Sequence, residues 1–301
     1  MDRLDAMRAF IAVAGQGSFA EAARRLRLSP SAVTRGVAQL EDELGVLLFH
    51  RTTRSVTLTE RGTIHLESCR RILDDLDQAE RRVRGEDARP RGLLTVAAPI
   101  LFGRLHILPI VNRLLAEHPE LNIRLSLSDR NVQLAEEGVD IAVRIGELAD
   151  SSLIAVKLGE VTRVLVASPA YLRARGEPRT LADLEGHDLI TFEGIGSASD
   201  WRPGDRGARL EPRLSVNSAD AALAAAEAGL GITRALSYQV KAGVEAGRLI
   251  SLLPDLPTPA LPVSALHPAH RVASANVAAF TKAARAAFRA APLTPITRRQ
   301  A

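Results

Sequence analysis

The chain is 301 residues long, 46% hydrophobic and 25% charged, with a formal net charge of +4. That is the composition of an ordinary soluble protein, long enough for two domains with cores of their own. No run approaches the roughly 18 apolar residues of a membrane span, the N-terminus lacks a signal peptide's apolar core, and one cysteine, Cys69, excludes a disulfide framework or a cysteine-cluster metal site. The expected location is the cytoplasm. Lysine occurs only at Lys157, Lys241 and Lys282. GC-rich codon usage explains most of such an arginine bias, so the position of the charges matters more than their sum.

From the N-terminus the pattern is helical. Leu4, Met7, Phe10 and Ile11 recur at helical spacing, as do Ala22, Ala23 and Leu26. Ser29-Pro30 is a helix-start signal, Val33, Val37, Leu40 and Leu44 share one face of the helix that follows, and Gly45 closes it. Residues 47–51 and 55–59 read as short strands flanking a basic tip, and Thr59-Glu60-Arg61-Gly62 leads into a long amphipathic helix. In that helix Ile72, Leu76, Ala79 and Val83 form a coiled-coil-like seam, with Cys69 expected as a buried structural thiol beside it. Residues 85–92 are polar, contain Pro90 and read as a hinge.

Beyond the hinge, strands alternate with helices, the signature of a largely parallel sheet covered on both faces. Strands are expected at 93–98, 122–128, 139–145, 153–157, 163–167, 189–192, 213–216, 231–233 and 261–266. Helices are expected at 105–116, 134–138, 169–175, 181–185, 219–228 and 274–290.

Residues 18–44 carry the first functional signal. A short helix with small residues lets a second helix cross it closely, and the apolar face of the second helix leaves Ser31, Thr34, Arg35 and Ala38 on the other side. Short side chains and an arginine are what a helix in the major groove of DNA needs, because hydroxyls bond phosphates or base edges and arginine forks to guanine. Ser29 and Pro30 open that helix, whose N-terminal N–H groups suit a phosphate. The tip at Arg51, Thr52, Thr53 and Arg54 can straddle neighbouring phosphates, and Arg24, Arg25 and Arg27 enlarge the positive footprint. Glu41-Asp42-Glu43 must face away from the duplex. A helical hairpin with a solvated face remains the alternative reading of the pattern alone.

Ser18-Phe19, Ala22-Ala23, Leu26, Leu28-Ser29, Ser31-Ala32-Val33-Thr34-Arg35, Leu40-Glu41, Glu43-Leu44-Gly45 and Leu48-Phe49-His50-Arg51-Thr52-Thr53-Arg54, with Leu58-Thr59 and Gly62, closely resemble the LysR-type transcriptional regulators. The resemblance implies an α/β chain: an N-terminal winged helix-turn-helix (1–60), a linker helix for dimerisation (61–84), a hinge (85–92) and a two-lobed effector domain similar to periplasmic binding proteins (93–291). A flexible tail (292–301) would follow. Lobe I would be 93–166 plus 267–291, and lobe II 167–266. It implies a homodimer, commonly a homotetramer, on a partly palindromic operator. With the hinge at 85–92, a ligand closing the two lobes is expected to change the angle between paired reading heads and so alter DNA bending and RNA polymerase access. Gly36 departs from the bulkier residue usual at its position, which would soften sequence readout there.

Ligands of open α/β sheets lie at the carboxyl ends of strands. With the resemblance, this points to Pro99, Ile100, Leu101 and Phe102 after the first strand, Asp129 after the second and Arg144 and Gly146 at the third. It also points to Phe192, Asn217, Ser218, Ala235 and His267. Many relatives have a hydroxyl where this chain has Ile100, so a less polar effector or a weaker carboxylate grip is expected. Arg144 would bind an effector carboxylate or pair with Asp140 or Glu147. The effector's identity stays open, and no cofactor is expected. Gly194-Ile195-Gly196 is followed by Ser199 where a dinucleotide fingerprint has its third glycine, and the seven histidines show no metal-ligand spacing. No nucleophile elbow is visible, so neither a catalytic nor a metal site is expected. A solute-binding protein and an architectural DNA binder without effector are the alternatives from other classes.

Overall fold

The computed structural model describes residues 1–52, 55–83, 89–129, 138–148, 153–192, 210–256, 258–271 and 274–293, the side chains of 78, 81, 82 and 270 apart. Thr53 and Arg54, the first half of the hinge (85–88), nearly all of the helix expected at 134–138 and the tail beyond 293 lie outside the described residues. The chain forms two compact units, Met1–Ala88 and Arg89–Ala301.

In the first unit each helix is delimited by its own caps. α1 (Arg3–Gln16) begins at Asp2, whose carboxylate accepts the Asp5 N–H at 2.7 Å, and ends at Gly17. α2 (Phe19–Leu26) starts on Ser18 and stops at Arg27, which adopts the left-handed conformation (φ 56°) that glycine usually supplies. α3 (Pro30–Leu44) is capped by the Ser29 hydroxyl, with Pro30 in its first turn and Gly45 beyond its end. Phe10 of α1, Ala22 and Ala23 of α2, and Val33, Val37 and Leu40 of α3 are removed from solvent together. The hairpin β1 (Phe49–Arg51) and β2 (Val56–Leu58) pairs antiparallel and is shorter than expected. It docks through Phe49, whose ring lies 5.2 Å from that of Phe10 and 5.9 Å from that of Phe19.

α4 (Glu60–Val83) is started by Thr59, whose hydroxyl donates to the Leu47 carbonyl and accepts the Gly62 N–H, both at 2.8 Å. A Cβ at position 62 would run into the Leu48 carbonyl oxygen, so only glycine permits this approach of helix and hairpin. Cys69 is fully buried, and burial pushes its thiol pKa up to about 11, as befits a structural cysteine. Farther along, Ile72 and Val83 are 44% and 90% exposed. Leu76 is half-buried and Ala79 exposed.

The second unit holds two five-stranded sheets. The first has the order β4 (Leu121–Leu127), β3 (Gly92–Ala98), β5 (Ile141–Ile145), β12 (Leu261–Pro268), β6 (Leu153–Val161). The second has the order β11 (Ile250–Leu252), β7 (Arg163–Ala167), β10 (Ile232–Leu236), β8 (Leu189–Phe192), β9 (Leu214–Val216). In each, one strand runs against the other four, β12 in the first and β7 in the second. The expected lobe borders at 166 and 266 therefore move. β7 belongs to lobe II and β12 to lobe I, and the chain crosses at Thr162 and again between Leu252 and Leu261. Nothing local marks the first crossing, since 153–167 is one extended run in which only Thr162 separates two strands of different sheets. Across it, the Ser237 N–H donates to the Thr162 carbonyl at 2.8 Å.

The helix expected at 105–116 starts earlier, directly after Pro99. It runs as α5 (Ile100–Phe102), a π-helical segment (Gly103–Ile107) and α6 (Leu108–Glu117). Pro109 has no N–H to give the Leu105 carbonyl, and its ring crowds that carbonyl. The turn widens, and the Leu108 N–H reaches back to Gly103. The other helices are α7 (Pro169–Arg175), α8 (Ala219–Glu227), α9 (Ser237–Glu245) and α10 (Ala275–Ala290). α9 and β11 were not expected from the sequence. Among the described residues no helix is long and apolar enough to cross a membrane, and no cluster of metal-ligating side chains occurs.

Candidate nucleic-acid interface and effector cleft

α3 divides its residues sharply between two environments. Val33, Gly36, Val37 and Leu40 are buried, while Ser31, Thr34 and Arg35 are exposed and Ala38 is half-buried. At the start of the helix the Ser29 and Ser31 hydroxyls lie 3.0 Å apart, and Thr34 donates to the Pro30 carbonyl at 2.8 Å. Arg35 makes no ion pair within the described residues, so its guanidinium is available to a partner outside the chain. Gly36 does not belong to this surface. A Cβ there would point at the start of the chain and α1, 2.5 Å from Met1 Sδ and 3.6 Å from Ala6 Cα, so the position faces the interior and the expected softening of readout is withdrawn.

The hairpin departs from expectation at Arg51. Glu41 of α3 is 8% exposed and turns into the domain. Its Oε1 accepts the Leu48 N–H at 2.9 Å and the Phe49 N–H at 3.3 Å, and its Oε2 takes the Arg51 guanidinium at 2.5 Å. The same guanidinium lies 4.9 Å over the Phe19 ring. Arg51 is thus committed within the domain and fixes the wing to α3 and α2; it is not free to straddle phosphates. Thr52 turns the hairpin, its hydroxyl accepting the Ser55 N–H at 3.0 Å. Arg25 and Arg27 are exposed, and Arg24 pairs with Glu21.

In the second unit the carboxyl ends of the two parallel strand sets converge. The helix after β3 meets the elements that follow β9 and β10. Arg104 Nη2 lies 3.4 Å from Asp220 Oδ1 in the first turn of α8, and the Phe102 ring meets the Tyr238 ring of α9 edge-on at 5.2 Å. Arg104, Asp220 and Tyr238 had no signal in the sequence, being brought together only by the crossings. Burial, with Asp129 and Asp220 nearby, pushes the Tyr238 hydroxyl pKa up. Beside it burial lowers the pKa of His106, with Lys241 adding to the effect.

The residues expected around this cleft divide three ways. Pro99, Ile100, Asp129, Gly146, Asn217 and Ser218 lie at strand ends on the converging side. Ile100 is 40% exposed, and its N–H is held by Asp129 Oδ1 at 3.0 Å, so the chain's own carboxylate caps this helix start. Gly146 takes φ +117° and has open space where a side chain would stand. Ser218 caps α8 through the Ala221 N–H at 3.4 Å, beside exposed Asn217. Arg144 is half-buried at the end of β5, opposite Ser264. Asp140 engages the Thr95 N–H and Arg271.

A second group, Leu101, Phe102, Phe192 and Ala235, is at most 6% exposed and packs in the shared core, so these side chains are corrected from ligand contacts to packing. His267 is corrected outright. Because β12 runs against its neighbours, pairing Val263 with Ile145 and Leu266 with Ala142, the end of β12 lies at the opposite edge of the sheet from the cleft.

Residues 4–63 match the bacterial regulatory helix-turn-helix proteins of the lysR family, and residues 87–289 match the LysR substrate binding domain. An HTH-type transcriptional repressor of Pseudomonas aeruginosa is 35% identical over 98% of this chain and 96% of its own length. The HTH-type transcriptional activator TtdR of Escherichia coli is 31% identical, over 83% of this chain and 82% of its own. The solved structure of CrgA, a LysR-type transcriptional regulator from Neisseria meningitidis, has a TM-score of 0.60 and 29% identity and covers 94% of this chain and 98% of that one. A capped reading helix beside a hairpin and a two-lobed α/β domain are the parts these comparisons identify: the chain belongs to the LysR family, DNA-binding transcription regulators with an effector-binding domain.

Proposed function

We propose that the exposed stripe of α3, Ser31, Thr34, Arg35 and the edge of Ala38, enters the major groove of an operator. Ser29 and Pro30 would present the helix N-terminus to a phosphate, and the tip residues Thr52, Thr53 and Arg54 would reach the flanking backbone. The observation that carries this reading is the division of α3. The face opposite the stripe is wholly buried, and Arg35 stands unpaired on the open side. Ile72, Leu76, Ala79 and Val83 of α4 supply the seam for a homodimer, supported by the exposure of Ile72 and Val83. Two such dimers would make the tetramer that acts on RNA polymerase at the promoter, in the cytoplasm.

A small-molecule effector would enter between the lobes, against Ile100, Arg144, Gly146, Asn217 and Ser218. With Asp129 holding the Ile100 N–H, an anionic effector would find its donors at Ser218 and Arg144 instead. A salt-resolved binding titration on the upstream intergenic DNA tests the reading. Salt-sensitive binding that survives competitor DNA and footprints two half-sites supports it. Binding that competitor removes at every salt concentration, on operators selected from random DNA as well, rejects sequence-specific readout.

A further inference from the structure

His267, displaced from the cleft, borders another concavity. At the edge of lobe I away from the cleft, a groove of about 520 Å³ runs between the start of β6, the end of β12 and one face of α10. The apolar side chain of Ile154 and the buried ring of His267 wall it on the sheet side. On the helix side stand Thr281, Lys282, Arg285 and Arg289, spaced so that they share one face.

Two observations make this more than a solvated helix face. Arg285 and Arg289 are exposed and form no ion pair among the described residues, so like charges stand four residues apart, a spacing at which they repel. Exposed Lys282, three residues before Arg285, adds a third charge that the Glu117 carboxylate offsets in part. Beneath them the Thr281 hydroxyl is out of contact with solvent and has no hydrogen-bond partner, although a helical threonine ordinarily bonds the carbonyl a turn back. An anion seated here would relieve the repulsion and pair the orphaned hydroxyl. Arginine forks match carboxylate and phosphate oxygens, and the volume is that of a small-molecule site.

We propose that this groove is a second ligand site, distinct from the inter-lobe cleft, that takes a small amphipathic anion: a carboxylate or phosphate on a short apolar body. A concavity with a buried floor suits a small molecule, whereas a DNA backbone would be met by a convex basic surface.

The test is fluorine NMR on the full chain, with 4-fluorobenzoate and 4-fluorophenyl phosphate as probes and 4-fluorobenzamide as the neutral control. At least one anion should bind with a Kd below about 1 mM, with the amide about tenfold weaker or more. Arg285→Gln/Arg289→Gln should weaken the anion about tenfold at unchanged circular dichroism, and Thr281→Val should weaken it several-fold. Failure of both anions to bind overturns the proposal, as does equal binding of the amide. Unchanged affinity in the double variant places the anion elsewhere and also overturns it. A double variant that loses DNA affinity but keeps anion affinity makes this a DNA-facing surface and refutes the small-molecule site.

Discussion

Glu41 is the buried charge that ties α3 to the hairpin segment, and its removal has a cost that can be worked out from its partners. Glu41→Ala leaves two buried donors, the N–H groups of Leu48 and Phe49, without the carboxylate that now accepts them, in a segment at most 2% exposed. An orphaned buried donor costs about 1–3 kcal/mol. The Arg51 pairing adds less, because that side chain is 37% exposed and solvent screens it. A total near 3 kcal/mol is expected, a factor of about 100 in the local opening equilibrium. Hydrogen exchange of the segment containing Leu48 and Phe49 reads that equilibrium directly. The two amides should exchange about 100-fold faster in Glu41→Ala and about tenfold faster in Arg51→Ala. The salt dependence of DNA binding should be unchanged in Arg51→Ala, since that guanidinium is spent inside the domain. Exchange unaltered by Glu41→Ala would refute the clasp, and a salt slope lower by about one unit in Arg51→Ala would return Arg51 to the phosphates.

Arg35→Ala should relax base preference at one operator position by about 1–3 kcal/mol; equal loss on every sequence in a selection assay would make it a backbone contact. Gly62→Ala should lower the unfolding free energy read from urea titration by about 1–3 kcal/mol or more, because its Cβ meets a carbonyl. Gly36→Ala meets only the flexible end of Met1, and should be neutral or up to about 1 kcal/mol stabilising. An equal penalty at both sites would contradict the local packing. Burial lowers the pKa of His65, His106 and His187 below the ordinary 6.5, so the unfolded chain binds more protons just below that pH. Stability should therefore be full above about pH 6.5 and fall on acidification until the folded-state values are passed. His106→Phe should flatten that fall, and a pH profile identical to the wild type would reject its contribution.

The N-terminal unit was legible almost residue by residue, because its signals are local. Ser18, Ser29 and Gly45 cap helices within their own turns, and the apolar face of α3 repeats with the helical period. What stayed hidden there were charges that satisfy backbone at a distance. Glu41 reads as one of three acidic residues on a surface, yet it bonds N–H groups seven and eight residues on. In the second unit, strand positions were readable but strand direction and sheet membership were not. The antiparallel course of β12 moved His267 to the wrong edge, and the one-residue link at Thr162 assigned β7 to the other lobe. Exposed ends such as Ile100 and Asn217 kept their places, while Leu101, Phe102 and Phe192 looked like cleft residues only because their neighbours are.

The course of β12 also dictates an order of assembly. Lobe II is continuous from Arg163 to Leu252 and can close its sheet as soon as those residues have been synthesised. Lobe I cannot, because β5 and β6 have no common edge until residues 261–268 arrive between them. Emerging from the ribosome, the chain therefore carries an incomplete first sheet with open strand edges past a finished second one. Contacts of such long sequence separation form slowly and leave those edges exposed to other chains. A nonsense lesion between Leu252 and Leu261 should thus leave a folded lobe II attached to an aggregation-prone lobe I, even though most of the chain has been made.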